Sequence, residues 1–511
     1  MDRRTFLQTA GMGAAALTLP LWLRAAPRQN GSKRPLNILF LMTDQHRGDA
    51  IGAAGNRVIH TPNLDRLARE GALFHSAYTS LPSCTPARAS LLTGQSPWGH
   101  GMLGYYRVAK EYPFEFPVTL NEAGYYTAVI GKNHFYPQRQ PHGYTKILLD
   151  ESGREQSVDF RSDYRSWLWS VNPLIDPDAT GIGWNSYRSK PYALPAEYHP
   201  THWIGESAVR FLEQYDREEP FLLKVSFERP HSPYDPPRDY WDLYEGVELP
   251  AASVGEWAEE WYGEFTDPKP YNLARGNLGA DQVQRSKQGY YGNISFIDYQ
   301  IGRVLSALEK RGLLENTLIL MTADHGDMQG DHHLWRKTYA YEGSAHIPMI
   351  VRWPEGMVAA KRGMHLSQPV ELRDIAPTFL EVAGLPVPDS VEGTSLLQLI
   401  RGETAGWREY IDMEHATTYF PENAWTALTD GKTKYIYHAY TGQEQLFDLE
   451  ADPGEISDLS GVRRHARELK QWRDRMIRHL SVRGEPWVVD GKLGIRKEKI
   501  LLGPNYPGEK T

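Results

Sequence analysis

Leu81-Pro82-Ser83-Cys84-Thr85-Pro86-Ala87-Arg88-Ala89-Ser90-Leu91-Leu92-Thr93-Gly94 is the stretch from which the fold and site of this 511-residue chain can be worked out, and it holds the single cysteine of the sequence. Thr85 can cap a helix, Pro86 suits its first position, and Ala87 to Leu92 are mostly good helix formers. Cys84 is therefore expected at the N-terminus of a helix, where free N–H groups favour an anion. Arg88 follows by one turn on the same face, and its fixed charge could bind an oxyanion.

Polar clusters follow four apolar runs that have the character of buried parallel strands. Residues 36–43 precede Asp44-Gln45, and residues 125–130 precede Lys132 and His134. Residues 221–227 precede His231, and residues 317–323 precede Asp324-His325. Because ligands in open α/β sheets bind at the carboxyl ends of strands, these clusters predict one shared site. Asp44 and Gln45 offer oxygen ligands there, although an isolated acid after a strand more often caps a helix or forms a turn.

The order of elements predicts an α/β fold. Helical spacing between the runs, at 208–212 and 301–308, indicates a large mixed, mostly parallel sheet sandwiched by helices. Later, Asp430-Gly431 supplies the turn of a hairpin over 425–437, and an amphipathic helix is expected near 465–480. These features predict a catalytic domain over 36–404 and a C-terminal subdomain over 405–511, built as a small antiparallel sheet plus helix.

The N-terminus is typical of an export signal. Arg3-Arg4 precedes an apolar run that is short for a membrane span, which predicts a Tat-type signal peptide over 1–27 and a periplasmic or secreted protein. Cleavage or retention of this segment as an anchor stays open, and no membrane span is expected in the mature chain. The net charge of −8, without a basic stripe, argues against nucleic-acid binding. A single cysteine excludes an intrachain disulfide framework.

Two stretches, about 136–200 and 232–285, interrupt the alternation of strands and helices. Both are rich in Trp, Tyr, Pro and Asp and have weak periodicity. Long insertions beside a site usually carry specificity. Their aromatic side chains could stack on sugar or aryl rings, or could fill a local core.

The motif Cys84-x-Pro86-x-Arg88 running into Leu92-Thr93-Gly94 resembles the signature of the type I sulfatases, within the alkaline phosphatase superfamily. The resemblance extends from about residue 36 to about residue 480. It implies that a maturation enzyme oxidises Cys84 to formylglycine, an aldehyde whose hydrate is the nucleophile. Without the resemblance, a lone cysteine would be interpreted as a small buried apolar residue.

The resemblance also implies roles for the strand-end residues. Asp44, Gln45, Asp324 and His325, with the modified Cys84, would bind a divalent cation, for which Ca²⁺ is favoured and Mn²⁺ or Mg²⁺ is an alternative. Arg88 and Lys132 would hold the diol and the sulfate charge. His134 would take the proton that releases sulfate and restores the aldehyde, whereas His231 and Lys337 would assist the leaving group.

The function implied is hydrolysis of sulfate monoesters, with a sulfated saccharide as the favoured substrate. Two enzymatic alternatives stay open: an arylsulfatase of small substrates, and a phosphonate monoester or phosphodiester hydrolase, because those hydrolases share the Asp-His pair and the formylglycine. A catalytically silent binding protein is the alternative from another class. Five further polar residues are assigned away from the chemistry: His332 and His333 as surface or supporting groups, Asp49 and Asp327 as turn residues, and His415 as either a pocket or a structural residue.

Overall fold

The computed structural model describes residues 35–151, 153–154, 156–262 and 272–510. The strands are β1 (Asn37–Asp44), β2 (Ala72–Phe74), β3 (Ala77–Tyr78), β4 (Tyr126–Gly131), β5 (Lys146–Leu149), β6 (Phe221–Pro230), β7 (Thr317–Ala323), β8 (Met349–Arg352), β9 (Met364–Leu366), β10 (Val370–Glu371), β11 (Ile411–His415), β12 (Trp425–Thr429), β13 (Thr433–His438), β14 (Gln443–Asp448), β15 (Val488–Val489) and β16 (Lys492–Leu493). The helices are α1 (Pro62–Arg69), α2 (Cys84–Thr93), α3 (Pro97–His100), α4 (Phe116–Glu122), α5 (Asp163–Val171), α6 (Pro200–Gln214), α7 (Arg238–Asp242), α8 (Glu256–Tyr262), α9 (Ala280–Lys310), α10 (Glu342–Ala345), α11 (Ile375–Val382), α12 (Leu396–Ile400) and α13 (Ala466–Ser481). The predicted export signal, 1–27, lies outside the described residues.

The main sheet is mixed and mostly parallel, as predicted. Within the described ranges it has eight strands in the order β5-β4-β6-β1-β7-β8-β2-β9. β5, β4, β6, β1 and β7 run parallel, whereas β8 is antiparallel to both β7 and β2. β1 lies between β6 and β7, so the carboxyl ends of three neighbouring parallel strands meet at one edge.

The two faces of β1 pack against different helical layers. Ile38, Phe40 and Met42 join one core with α2, α4, α11 and α12, and Leu39 and Leu41 join the other core with α1, α6 and α9. Because side chains alternate along a strand, a run buried on both faces is continuously apolar. Burying one such side chain contributes about 1.5–3 kcal/mol, which fixes the register of the strand and therefore the position of its polar end.

The C-terminal sheet is antiparallel in the order β11-β12-β13-β14. The predicted hairpin is confirmed: Thr429 pairs with Lys434, and Gly431 takes a φ of 83° in the turn between them. α13 covers this sheet through Trp472 and Met476. The predicted sheet-plus-helix arrangement is therefore present, while the boundary at 404/405 stays a prediction.

The start of α2 differs from the expectation. The helix begins at Cys84, with Ser83 rather than Thr85 in the preceding extended position, so Pro86 occupies the third helical residue. The Ser83 side chain makes no capping hydrogen bond to the helix. Its hydroxyl lies 3.2 Å from Nε2 of His415 instead. Cys84 is thus inside the first turn, and Gly94 ends the helix in a left-handed conformation with φ 66°.

The two insertions contain the short helices α5, α7 and α8 among irregular segments. Several of their aromatic residues fill local cores; Trp241, for example, is 2% exposed. Across the residues with an assigned position, no helix is both long and apolar enough to cross a membrane.

Candidate active site

The strand-end residues lie together at the carboxyl edge of the main sheet. Asp44, Cys84, Asp324 and His325 are fully buried, and each offers one atom within 4.8 Å of the others. Asp44 ends β1, Cys84 opens α2, and the other two follow β7. The shared site expected from the sequence therefore forms from elements that are far apart along the chain.

Two backbone N–H groups hold the carboxylate of Asp324. At Gln45 the backbone turns sharply with φ 67°, and its N–H donates to Oδ1 of Asp324 over 3.1 Å. The N–H of His325 donates to the same oxygen over 3.0 Å. A residue with positive φ is strained unless its surroundings hold it, so these bonds secure the turn that follows β1.

Arg88 and Lys132 both face the carboxylates. Arg88 is 3.1 Å from Oδ2 of Asp44 and 2.9 Å from Oδ2 of Asp324, and Lys132 Nζ is 2.7 Å from Oδ2 of Asp44. Burial alone would raise the pKa of Asp44, but Lys132, His231 and Arg88 outweigh burial and lower that pKa well below its usual value. Asp44 is therefore ionised at any working pH.

Cys84 Sγ lies at the centre of the cluster. It is 3.2 Å from Nε2 of His325, 3.4 Å from Nζ of Lys337 and 3.8 Å from Oδ1 of Asp44. Burial and Asp44 oppose ionisation, yet Lys337, Lys132 and His325 lower the pKa of the thiol to about 6. The environment thus favours negative charge at the position of this side chain.

The donor set fits a divalent cation. Nδ1 of His325 is 2.9 Å from the Gly326 carbonyl oxygen, which can only accept, so Nδ1 carries hydrogen and Nε2 faces the cluster. This arrangement is typical of metal-binding histidines. Burial opposes charge on His325, but Asp324 and Cys84 raise its pKa, which shows that the cluster favours positive charge there. Two carboxylates and one imidazole suit Ca²⁺, Mg²⁺ or Mn²⁺.

Gln45 is close to this cluster, but its side chain has other partners. Its Oε1 accepts from Lys337 Nζ over 2.9 Å, and its Nε2 donates to Oδ2 of Asp327 over 2.5 Å. The predicted role of Gln45 as a metal ligand stays a prediction. The bond to Gln45 also shows that Lys337 reaches the centre of the site from the loop that follows β7.

His134 and His231 follow β4 and β6 at the same edge of the sheet. Nδ1 of His231 is 2.8 Å from the Ser232 carbonyl oxygen, which leaves Nε2 directed into the site. Burial, Lys337 and Lys132 lower the pKa of His231 well below 6.5; burial, Arg154 and Lys132 do the same for His134. Both imidazoles are therefore neutral near pH 7 and able to accept a proton.

Arg154 joins the two histidines and was not identified from the sequence. Its Nη1 is 2.7 Å from Nε2 of His134, and its Nη2 is 3.4 Å from Nε2 of His231. The guanidinium lies over the Trp184 ring, 3.0 Å from the ring centroid, and Trp184 contacts His231 at 5.3 Å between centroids. In the sequence, nothing separates Trp184 from the other aromatic residues of the insertion.

A cleft of about 420 Å³ opens beside His134. Its lining residues are Thr85, Tyr105, Tyr106, Arg107, His134, Phe135, Tyr136, Gln138, Arg154 and Gln156. Tyr105 is 44% exposed, and its hydroxyl is 3.3 Å from Nε2 of His134. The cleft thus reaches His134 and Thr85, the residue after Cys84, and offers an aromatic, hydrogen-bonding surface that suits an organic substrate.

The residues assigned away from the chemistry lie outside the metal-binding group. His333 contacts Glu259 over 2.6 Å but is 8% exposed, so the expectation of a surface position fails for it and also for His332, which is buried against Trp257. Its apolar surroundings explain the burial. Nε2 of His415 lies 3.2 Å from the hydroxyl of Ser83, the residue before Cys84.

Asp49 and Asp327 also lie outside that group. Asp49 pairs with Arg47 over 2.8 Å. Asp327 accepts from the Gln329 N–H over 3.1 Å, as expected for a turn, and also from the hydroxyl of Tyr234. Together with its bond to Gln45, this makes Asp327 a buried support of the site as well as a turn residue.

A family model described as Sulfatase matches residues 36–385, and a second, described as N-sulphoglucosamine sulphohydrolase, C-terminal, matches residues 330–481. The first covers more than half of the chain and all the strand-end residues. The chain belongs to the sulfatase family, as a type I sulfatase of the alkaline phosphatase superfamily, and is a sulfuric ester hydrolase.

Similar proteins include an arylsulfatase of Clostridium perfringens, which is 39% identical over 89% of this chain and 97% of its own length. An N-acetylglucosamine-6-O-sulfatase of Bacteroides thetaiotaomicron is 27% identical over 88% of this chain and 86% of its own. Among solved structures, the phosphonate monoester hydrolase of Agrobacterium radiobacter superposes with a TM-score of 0.73 at 25% identity, covering 88% of this chain and 96% of the other.

Proposed function

We propose that Cys84 of this sulfatase is matured to formylglycine and that the enzyme hydrolyses sulfate monoesters of saccharides. The reaction would use a divalent cation, for which Ca²⁺ is the first candidate. The observation that carries the proposal is the position of Cys84 Sγ, within 3.8 Å of Asp44, His325 and Lys337. A group bound to Cβ of residue 84 can therefore contact the candidate metal ligands Asp44 and His325 and, at the same time, the ammonium group of Lys337.

Hydrolysis of a sulfate monoester requires that charge on the sulfuryl oxygens be neutralised. Arg88, Lys132 and Lys337 are fully or almost fully buried around Cys84, where low polarity strengthens their attraction for an anion. Arg88 also donates to the Lys132 carbonyl oxygen over 2.8 Å, which holds both groups in one orientation. These three residues would bind the sulfate and hold the hydrated aldehyde against it.

The leaving alkoxide of a sugar needs a proton. Lys337 lies against Cys84 and carries protons for this task. His231 is neutral with its hydrogen on Nδ1, so it would assist by passing on a proton that Nε2 has first taken up. His134, neutral near pH 7, would take the proton from the second hydroxyl of the hydrate. That transfer expels sulfate and restores the aldehyde.

The metal site would be formed by Asp44, Asp324 and His325, with residue 84 and Gln45 completing it. A divalent cation there would polarise the nucleophile and one sulfate oxygen. Finding zinc with no calcium, magnesium or manganese by elemental analysis would contradict this assignment.

A saccharide is favoured over a small aryl group because the cleft combines aromatic faces with Gln, Arg and His donors. Apolar faces of a sugar stack on aromatic rings while its hydroxyls need hydrogen bonds. The N-acetylglucosamine-6-O-sulfatase relative also supports a sugar. The arylsulfatase and phosphonate monoester hydrolase similarities keep both alternatives in the test.

The test compares kcat/KM of the matured protein on sulfated saccharides, on 4-nitrophenyl sulfate and on an aryl phosphonate monoester. We expect at least one saccharide to exceed the nitrophenyl ester by about 10²-fold, or about 3 kcal/mol of transition-state binding. Preference for the aryl sulfate over every saccharide, or for the phosphonate, would establish the corresponding alternative. No turnover of any of them would leave the binding-protein alternative.

We also propose Tat export to the periplasm or medium, which the Arg3-Arg4 segment supports. Replacing both arginines with lysine should leave the protein in the cytoplasm of the producing cell. Unchanged export of this variant, measured by fractionation, would contradict the route.

A further inference from the structure

Arg154 is a charged residue whose surroundings do not balance its charge. Its neighbours are the imidazoles of His134 and His231 and the indole of Trp184. Within the described ranges no carboxylate forms an ion pair with it, and its Nε is buried without a hydrogen-bond partner. A cation held this way is stabilised when an anion binds beside it.

The cleft beside Arg154 has the same character. Ten residues of described position line it, and these include two arginines and no aspartate or glutamate. The second arginine, Arg107, lies over the Tyr136 ring, 4.2 Å from its centroid, and likewise forms no ion pair with a residue of known position. The catalytic cluster differs, since Arg88 and Lys132 each contact a carboxylate. The cleft is thus positively charged independently of the catalytic cluster.

The position of Arg154 indicates which anion it would meet. The scissile sulfate is assigned to Arg88, Lys132 and Lys337, next to Cys84. Arg154 instead bridges the two histidines and lines the cleft through which the substrate would enter. A group there belongs to the part of the substrate that leaves with the alkoxide.

We infer that Arg154 is a specificity-determining residue that binds a second anionic group, a sulfate or carboxylate, on the saccharide that carries the scissile sulfate. The substrate is then an acidic sugar with at least two negative groups. This inference rests on the proposed function and deepens it. The Trp184 ring below the guanidinium fixes its plane, so the N–H groups that the histidines leave free keep one direction toward an anion.

The test uses pairs of monosaccharide sulfates that differ by one anionic group. One pair is N-acetylglucosamine 6-sulfate and glucosamine 2-N,6-O-disulfate; the other is a 2-sulfated uronate and its methyl ester. Product release is measured by chromatography for wild type, Arg154→Gln, Arg154→Lys and Arg139→Gln. Arg139 is the matched control, because it lies in the same insertion but pairs with Asp163 over 2.9 Å.

For wild type we expect kcat/KM to be about tenfold or more higher on the doubly charged member of a pair. Arg154→Gln should reduce this ratio to within about threefold, mainly through KM, while Arg154→Lys keeps part of it and Arg139→Gln all of it. Thermal melting confirms that each variant is folded.

Two results would overturn the inference. One is turnover of a pair by wild type without preference for the added charge. The other is an equal fall of kcat on both members in Arg154→Gln, which would make Arg154 a positioning residue for the histidines. Turnover of aryl sulfate but of no saccharide would instead refute the saccharide part of the proposed function, and the inference with it.

Discussion

Two clusters of buried charge in this molecule have opposite designs. The catalytic cluster, formed by Asp44, Arg88, Lys132, Asp324 and Lys337 around Cys84, has three cations and two carboxylates. The anchor cluster consists of Lys434 on β13 with Glu342 on α10 and Glu455, at 2.7 and 2.8 Å. It ties the C-terminal sheet to the larger one.

In the anchor cluster two carboxylates share one cation. Glu455 also accepts the Glu342 N–H over 2.7 Å, so its members satisfy one another. Burial raises the pKa of Glu455, and Lys434 only partly opposes this, whereas Lys434 outweighs burial at Glu342 and lowers its pKa. The comparison teaches that buried charge by itself does not identify an active site. The catalytic cluster is distinguished by its excess of cations and by the metal-binding group of Asp44, Cys84, Asp324 and His325 that it contains.

The largest expected effect is in the catalytic cluster. Asp44→Ala and Asp324→Ala each leave Arg88 without one of its carboxylate partners and remove a metal ligand, so we expect activity to fall by about 10³-fold or more. The melting temperature of the metal-loaded protein should also fall, and chelation should no longer change it. Near-normal rates in either variant would break the account of this cluster.

His231→Ala tests whether His231 assists the departure of the leaving group. A general acid contributes about 10²–10⁴-fold, and it matters least when the leaving group is already a weak base. We therefore expect a loss in this range on a sugar sulfate and a much smaller loss on 4-nitrophenyl sulfate. Equal losses on the two substrates would show that His231 acts elsewhere in the reaction.

Lys434→Met tests the anchor cluster. Removing one partner of a buried ion pair costs about 3–5 kcal/mol, so the free energy of unfolding should fall by that amount while kcat/KM per folded molecule stays unchanged. The triple variant with Glu342→Gln and Glu455→Gln should recover part of the loss. A fall in kcat/KM of the folded single variant would contradict the separation of the two clusters.

Asp298 is a third case, a buried carboxylate that forms no ion pair with any cation of described position. It accepts N–H groups of Asn63 and Leu64 at the start of α1. Burial raises its pKa to about 6, although these hydrogen bonds oppose the shift. The folded state then binds the proton more tightly than the unfolded state, so the contribution of Asp298 to stability falls as pH rises from about 4 to about 6.

Asp298→Asn lacks this dependence. The free energy of unfolding of Asp298→Asn relative to wild type should therefore rise by up to about 3 kcal/mol between pH 4 and pH 7 and stay level above pH 7. Urea unfolding at a series of pH values measures the difference. A difference that falls with pH would show that the hydrogen bonds, and not burial, dominate.

The sequence predicts the parts of the molecule in which local patterns determine the structure. The continuous apolar runs before Asp44 and Asp324 are typical of buried parallel strands, whose polar ends then meet at one edge. The hairpin at Asp430-Gly431 follows from turn chemistry alone. The exact start of α2 could not be predicted, because Ser83 and Thr85 are both good caps and the contact of Ser83 with His415 depends on a strand more than 300 residues away.

The Arg154 site could not be predicted for a similar reason. Its insertion has no periodicity, and nothing local distinguishes Arg154 from Arg139 or Arg165. Only the fold brings Trp184 beneath its guanidinium and two histidines against it. Lys132 and His231, in contrast, directly follow the strands β4 and β6, so the sequence predicts their positions at the edge of the sheet.

The most direct test of the account is the state of Cys84 in active protein. Mass analysis of the peptide that contains it, combined with hydrazide labelling, should show that the thiol has been replaced by an aldehyde. Cys84→Ala should fold with an unchanged circular dichroism spectrum and release no sulfate, and Cys84→Ser should be equally inactive where only the cysteine-type maturation enzyme is present. Sulfate release by Cys84→Ala at the wild-type rate would contradict the central claim.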